Sequence, residues 1–347
     1  MTDRLDVPDS IVPTKSEKKS IRKLYNQVGG ALIAQYVLTY ILMFIGKTIA
    51  MPYVVEAKTE DGRDIYGFAQ VAVMFCAPAI ASMITFFCYN EMKKIKHSSM
   101  FKTEGVTVPL LLKTVGACLI FHRVGVSVLQ YAVAIVLDLL GLEMPLFDFE
   151  LAEDARTTFI DLFSSIILAP IAEEMLFRGV VLKEFSKVSQ RFGIVMSALI
   201  FGLMHGNPYQ FVMAAAVGVP LAYVTVKTGS LIPAIVGHMA LNTAASIPGI
   251  VELFDSSLYD GAYSFVVQAE YAIGAVTMMI LWSKGEIKMP PYTDYHKKRT
   301  LPVLFTSAAM IVIMIIYCVD IVLSVEAVEK TAEAAAEEIR RIFIGAF

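Results

Sequence analysis

The chain has 347 residues, of which 56% are hydrophobic and 18% charged, with a formal net charge of −3 and a mean hydropathy of +0.64. A soluble domain of this length carries more charge and less apolar residue, so the composition points to a helical membrane protein. It excludes a nucleic-acid-binding role, because no basic cluster with interleaved aromatics occurs. The four cysteines (Cys76, Cys88, Cys118, Cys318) lie in apolar runs without metal or disulfide spacing.

The first 27 residues are polar and read as a cytoplasmic N-terminal tail. Nothing in them reads as a cleavable signal, because the apolar run that follows is too long for a signal-peptide core. Nine apolar runs then appear, at 28–50, 67–89, 108–140, 158–181, 192–206, 209–226, 230–249, 264–282 and 302–325. Each approaches the roughly 20 residues that a helix needs to cross a bilayer. The expectation is an all-α fold: a polytopic transmembrane helical bundle of about 8–9 spans, with any active site in a membrane-embedded cavity.

The loops alternate in charge. Basic groups are Lys15, Lys18, Lys19, Arg22 and Lys23, then Lys93, Lys94, Lys96 and Lys102, then Lys183, Lys187 and Arg191, then Lys227, then Lys284, Lys288, Lys297, Lys298 and Arg299. The intervening loops carry Glu56, Glu60, Asp61 and Asp64, then Glu143, Asp148, Glu150, Glu153 and Asp154, then Glu252, Asp255 and Asp260. This pattern sets the N-terminus in the cytoplasm and the C-terminus outside. The lack of a sizeable soluble domain suits a prokaryotic plasma membrane. The third run is overlong and contains Lys113, His122 and Arg123. It reads either as an interfacial helix from Val106 to Phe121 followed by one span, which keeps the charge alternation, or as two spans, which would break it; the first is preferred, with His122 and Arg123 snorkelling. Residues 28–325 form the membrane domain, with a motif core at 158–249. Residues 326–347, rich in Ala and Glu, read as an amphipathic helical tail.

The fourth run carries charges that hydrocarbon does not tolerate without cause. Glu173 and Glu174 stand side by side, with Arg178 four residues after Glu174. Ionisable groups at membrane depth are expensive and mark function by default. Glu174 and Arg178 have the favourable i, i+4 order for an ion pair. Glu173 is rotated about 100° from Glu174 and faces other neighbours. One Arg does not neutralise two carboxylates. Pro170 deprives the helix of one N–H a turn earlier, so local opening is expected there.

The turn after this helix falls near Ser189–Gln190. Glu173 lies about 16 residues before it and His205 about 15 after it. Antiparallel helices rising about 1.5 Å per residue therefore bring the two to similar depth. A further helix places His238 and Asn242 on one face, four residues apart, among small residues that permit close approach. Such a set suits amide hydrolysis. A carboxylate and an imidazole deprotonate a water, and a second imidazole and an amide N–H stabilise the oxyanion.

Glu173-Glu174-Met-Leu-Phe-Arg178, Phe201-Gly-Leu-Met-His205 and His238-Met-Ala-Leu-Asn242 together resemble the three motifs of the CAAX-protease and bacteriocin-processing family of intramembrane proteases, the Abi or Rce1-like group. The resemblance spans Ile160 to Pro248. It implies that Glu173 with His205 activates water, that His238 and Asn242 form the oxyanion site, and that Glu174 and Arg178 support the geometry. It implies a membrane-associated protein or peptide substrate, of lipidated or CAAX type, met at the lipid bilayer. Glu173, His205 and His238 would also make a three-ligand zinc set, although the His-Glu-x-x-His signature of zinc proteases is absent. A metal-free glutamate mechanism is the preferred expectation, with zinc the alternative. A proton-coupled transporter and a non-catalytic scaffold or immunity protein are the competing functions.

Overall fold

The structure is a computed structural model that describes residues 13–56, 60–143, 155–288, 290 and 301–327. Helix α1 runs Lys15–Glu56 and α2 Glu60–Met92. Helix α1 thus begins inside the segment read as a tail, and it does so for a packing reason. Ile21 and Tyr25 are buried in a cluster with Phe185, Ile200 and Met310, so the apolar side of the first turns is covered rather than solvated.

The third run is one continuous helix, which corrects the expectation of an interfacial helix and a separate span. Helix α3 (Val108–Val124) passes through a π turn at Gly125–Leu129 into α4 (Gln130–Leu139). Thr107 caps its start, accepting from the Leu110 amide, and Pro109 occupies the first turn where no N–H is needed. Lys113 is not stranded in lipid, because its Nζ lies 2.6 Å from Glu286. His122 and Arg123 do not snorkel either. Both are buried, and both contact Oε2 of the buried Glu270, His122 through Nδ1 at 3.1 Å and Arg123 through Nε. A carboxylate from a neighbouring helix makes burial cheaper than reaching for water.

The motif-bearing helix is segmented into α5 (Ala155–Phe163), a π turn at Ser164–Leu168, α6 (Ala169–Leu176), a second π turn at Phe177–Leu182, and α7 (Lys183–Ser186). Ser189 caps α8 (Gln190–Leu203), and Asn207 with Pro208 starts α9 (Pro208–Thr228). Gly229, at φ 67°, closes α9 in a left-handed conformation that suits glycine. Then follow α10 (Ile232–Glu252), α11 (Tyr259–Ser283), α12 (Leu301–Leu304) and α13 (Ala308–Leu323). The one departure from all-helical structure among the described residues is a two-residue strand, β1 (Leu142–Glu143), paired antiparallel with β2 (Glu326–Ala327). Residues 328–347 of the expected amphipathic tail lie outside the described residues.

Among the described residues, six helices are long and apolar enough to cross a membrane: Lys15–Ile49, Ala72–Met92, Val108–Leu139, Pro208–Thr228, Ile232–Glu252 and Ser256–Ser283. Helices α8 and α13 are apolar but shorter. The outer surface is correspondingly apolar, with Phe44, Leu139, Phe265, Met279 and Trp282 each more than half exposed.

Small residues set the helix spacing, as expected where packing rather than water drives association. A Cβ built on Gly29 of α1 would lie 2.5 Å from the Met310 amide nitrogen of α13. Neighbouring backbone cannot rotate away as a side chain would. Gly29→Ala is expected to destabilise the protein by about 1–3 kcal/mol, as overpacking does. Gly30→Ala, whose Cβ meets nothing within 4 Å, should be near neutral. Thermal unfolding of the two variants in detergent checks the difference.

Candidate active site

Helix α6 is an eight-residue segment held between two wide turns, and it carries both glutamates. Wide turns of this kind are rare and concentrate at functional sites. The first has a local cause. The Ala169 amide bonds to the Ser164 carbonyl, five residues back. In that register the Ser165 carbonyl should meet the amide of residue 170, which is proline and has no N–H. The opening anticipated from Pro170 is therefore present, and it leaves the Ser165 carbonyl in need of a donor. Asn242 supplies it, with Nδ2 2.7 Å from that oxygen. An amide nitrogen has two N–H groups, so one remains for another acceptor.

Glu174 and Arg178 are fully enclosed, with Nη1 3.0 Å from Oε1. Arg178 Nη2 also donates to the Gly218 carbonyl of α9 at 3.4 Å, and its guanidinium lies 4.5 Å above the Phe201 ring. The same Oε1 of Glu174 is 3.1 Å from Nδ1 of His238. An ionised carboxylate only accepts, so Nδ1 carries the proton of this hydrogen bond and the tautomer is fixed. The other ring nitrogen, Nε2, faces Glu173 Oε2 at 3.8 Å. One guanidinium and one imidazole thus stand against two carboxylates.

Glu173 differs from its neighbour in access. Its side chain is 20% exposed, whereas that of Glu174 is 0% exposed. A buried, doubly held carboxylate and an adjacent, more open one are what α6 offers chemically.

The structure brings Glu173, Glu174, Arg178 and His238 together in direct contact. It sets Asn242 on the same helix as His238 but directs its amide to Ser165. His205 stands at the end of α8 and joins the group through Phe201. Its Nδ1 is 2.8 Å from the Phe201 carbonyl. A carbonyl only accepts, so Nδ1 donates, and in the neutral ring Nε2 carries the lone pair. Phe177 and Phe201 meet edge-on at 5.2 Å; Glu173 stands four residues before the one, and His205 four residues after the other, just beyond the end of α8 at Leu203. Among the described residues no group of three or more His, Cys, Asp or Glu could hold a metal ion.

Sequence reasoning named Phe201 only as a motif letter and gave it no role. Its ring touches His205 at 5.1 Å and His238 at 5.7 Å, both nearly perpendicular. It is the wall that spaces the two imidazoles. Ser165 and Gly218 contribute backbone oxygens, which no side-chain pattern announces.

Fold and site define a polytopic helical integral membrane protein with a Glu-Glu-Arg-His cluster on two packed helices. Residues 155–244, about a quarter of the chain, match the family described as type II CAAX prenyl endopeptidase Rce1-like, which supports the CPBP/Rce1-like family. That family implies a protease acting on a membrane-associated protein or peptide. No curated protein and no solved structure matches the chain.

Proposed function

We propose that the chain is a glutamate-type intramembrane endopeptidase that hydrolyses a peptide bond in a membrane-associated, lipidated or CAAX-type protein or peptide. One observation carries this reading. Glu174 is consumed by Arg178 and His238, while Glu173 beside it keeps a partly exposed carboxylate facing an imidazole.

Glu173, assisted by the His205 Nε2 lone pair, takes a proton from water as the oxygen attacks the scissile carbonyl. The carbonyl electrons move onto oxygen. Donors for that oxyanion come from His238 Nε2, when protonated, and from the second N–H of Asn242. Collapse breaks the C–N bond, and Glu173 returns its proton to the leaving amine. Glu174 and Arg178 hold the His238 ring and its tautomer. The family match and the shared register of α6 and α8 support these roles. The bundle is read with 8–9 crossings, α8 and α13 included, and with the N-terminus on the cytoplasmic side of a prokaryotic plasma membrane, as the loop charges favour.

No step runs through zinc. Purified enzyme treated with a chelator such as 1,10-phenanthroline is expected to keep its cleavage rate, and elemental analysis to find less than stoichiometric metal. Loss of activity that added zinc restores would overturn the metal-free assignment.

The substrate is sought by comparing membrane peptides from cells carrying wild type or Glu173→Gln. Truncated peptides confined to wild type identify the substrate. Identical peptide sets, with pH-gradient-driven flux in liposomes, would replace proteolysis by proton transport.

A further inference from the structure

Between helices α1 and α2 lies a cleft of about 460 Å³. Small side chains open it. Gly30, Ala31 and Ala34 line it from α1, and a Cβ built on Gly30 meets nothing within 4 Å. Leu38 lines it further along α1, and Ile84, Cys88 and Met92 form the opposite wall on α2. Ala31 and Tyr89 are buried, whereas Gly30, Ala34, Ile84, Cys88 and Met92 are exposed, so the cleft opens outward rather than into the bundle. Its other end is polar. Gln27 and Lys93 line it there, and Lys93 Nζ donates to Gln27 Oε1. An ammonium has three N–H groups, so two remain. None of the described lining residues is acidic. Among the described residues, no carboxylate forms an ion pair with Lys93.

We propose that this cleft binds one anionic phospholipid of the leaflet on the side of the basic loops, with an acyl chain along the apolar walls and the phosphate at Lys93. Length selects the occupant. From Gln27 to Leu38 the cleft follows eleven residues of α1, about 16 Å at the helical rise. That is about half of a hydrocarbon core roughly 30 Å thick, the depth of one leaflet. A partner transmembrane helix would need a seam about twice as long. Charge selects the headgroup. A cation with spare donors at the polar end, and no acid beside it, favours a lipid of net negative charge over a zwitterion. Lys94 and Lys96 follow it directly and add to the same field. Occupancy of the cleft does not depend on the peptidase reading.

Trp282 is the sole tryptophan, so Trp282→Phe with Ile84→Trp places a single indole on the cleft wall. The full chain with both changes is set in phosphatidylcholine nanodiscs that hold a small, equal fraction of lipid with brominated acyl chains, as phosphatidylglycerol or as phosphatidylcholine. Brominated chains quench an indole on contact. Brominated phosphatidylglycerol is expected to occupy the cleft about fivefold more than brominated phosphatidylcholine, the effect of one lysine near an anionic surface. Lys93→Gln should abolish the preference and Lys93→Arg should keep it, which separates lost charge from lost packing. Gly30→Leu fills the cleft and should weaken quenching by both lipids, with thermal unfolding checking that the fold is kept. Equal quenching by the two lipids, a preference that survives Lys93→Gln, or unchanged quenching in Gly30→Leu overturns the proposal. So does relief of the quench by a saturating prenylated tetrapeptide in Glu173→Gln protein, which would assign the cleft to the lipid chain of a substrate.

Discussion

Glu173→Gln is expected to lower peptide cleavage by about 10²–10⁴-fold, the usual worth of a positioned general base, and to leave folding intact. Gln keeps the shape of the side chain and cannot accept a proton from water. Little else is lost, because among the described residues the group facing the Glu173 carboxylate is His238 at 3.8 Å, beyond hydrogen-bond reach. The variant should therefore unfold thermally within a few degrees of wild type while cleavage of a lipidated peptide disappears. Full activity in Glu173→Gln would remove this carboxylate from the chemistry. Collapse of folding and activity together would mark it as structural.

The neighbouring position should behave in the opposite way. Arg178→Met leaves Glu174 buried with its main counter-charge gone, and losing one partner of a buried pair costs about 3–5 kcal/mol. Exposure of 0% on both side chains removes the option of reaching water. The contact of Arg178 with the Phe201 ring and its bond to Gly218 go as well. The double variant Glu174→Gln with Arg178→Met should recover most of the stability, because no unpaired charge remains inside. Thermal or urea unfolding of the single and double variants, read as a cycle, measures the coupling. Single and double variants equally unstable would show that the arginine acts through packing instead of charge.

The helices were legible because apolar blocks of bilayer length leave little choice of secondary structure. The cluster was legible because carboxylates and imidazoles in such blocks are conspicuous, and because helical spacing aligned Glu173 with His205. What the chain did not reveal depends on long-range partners. His122 and Arg123 read as snorkelling since Glu270, their acceptor, lies 148 and 147 positions away on another helix. His238 was assigned to an oxyanion, and its bond to Glu174 needed the packing of α10 against α6. Asn242 looked like a free amide, and only the π turn at Ser164–Leu168 exposes the carbonyl that takes one of its protons. The second π turn, at Phe177–Leu182, has no proline to announce it. The β1–β2 pairing involves two residues on each side, too few for any alternation to register.

The two wide turns also set an angular offset. Each holds one residue more than a regular turn, and one residue is about 100° of rotation. Helix α6 is thereby indexed separately from α5 before it and α7 after it. The azimuth of the glutamates is uncoupled from that of Lys183 and Glu184 at the helix end, so the two pairs can each face their own neighbours along a single rod. Removing one residue from either turn would restore uniform winding and swing one set of side chains away from its neighbours, although every motif letter would still be present.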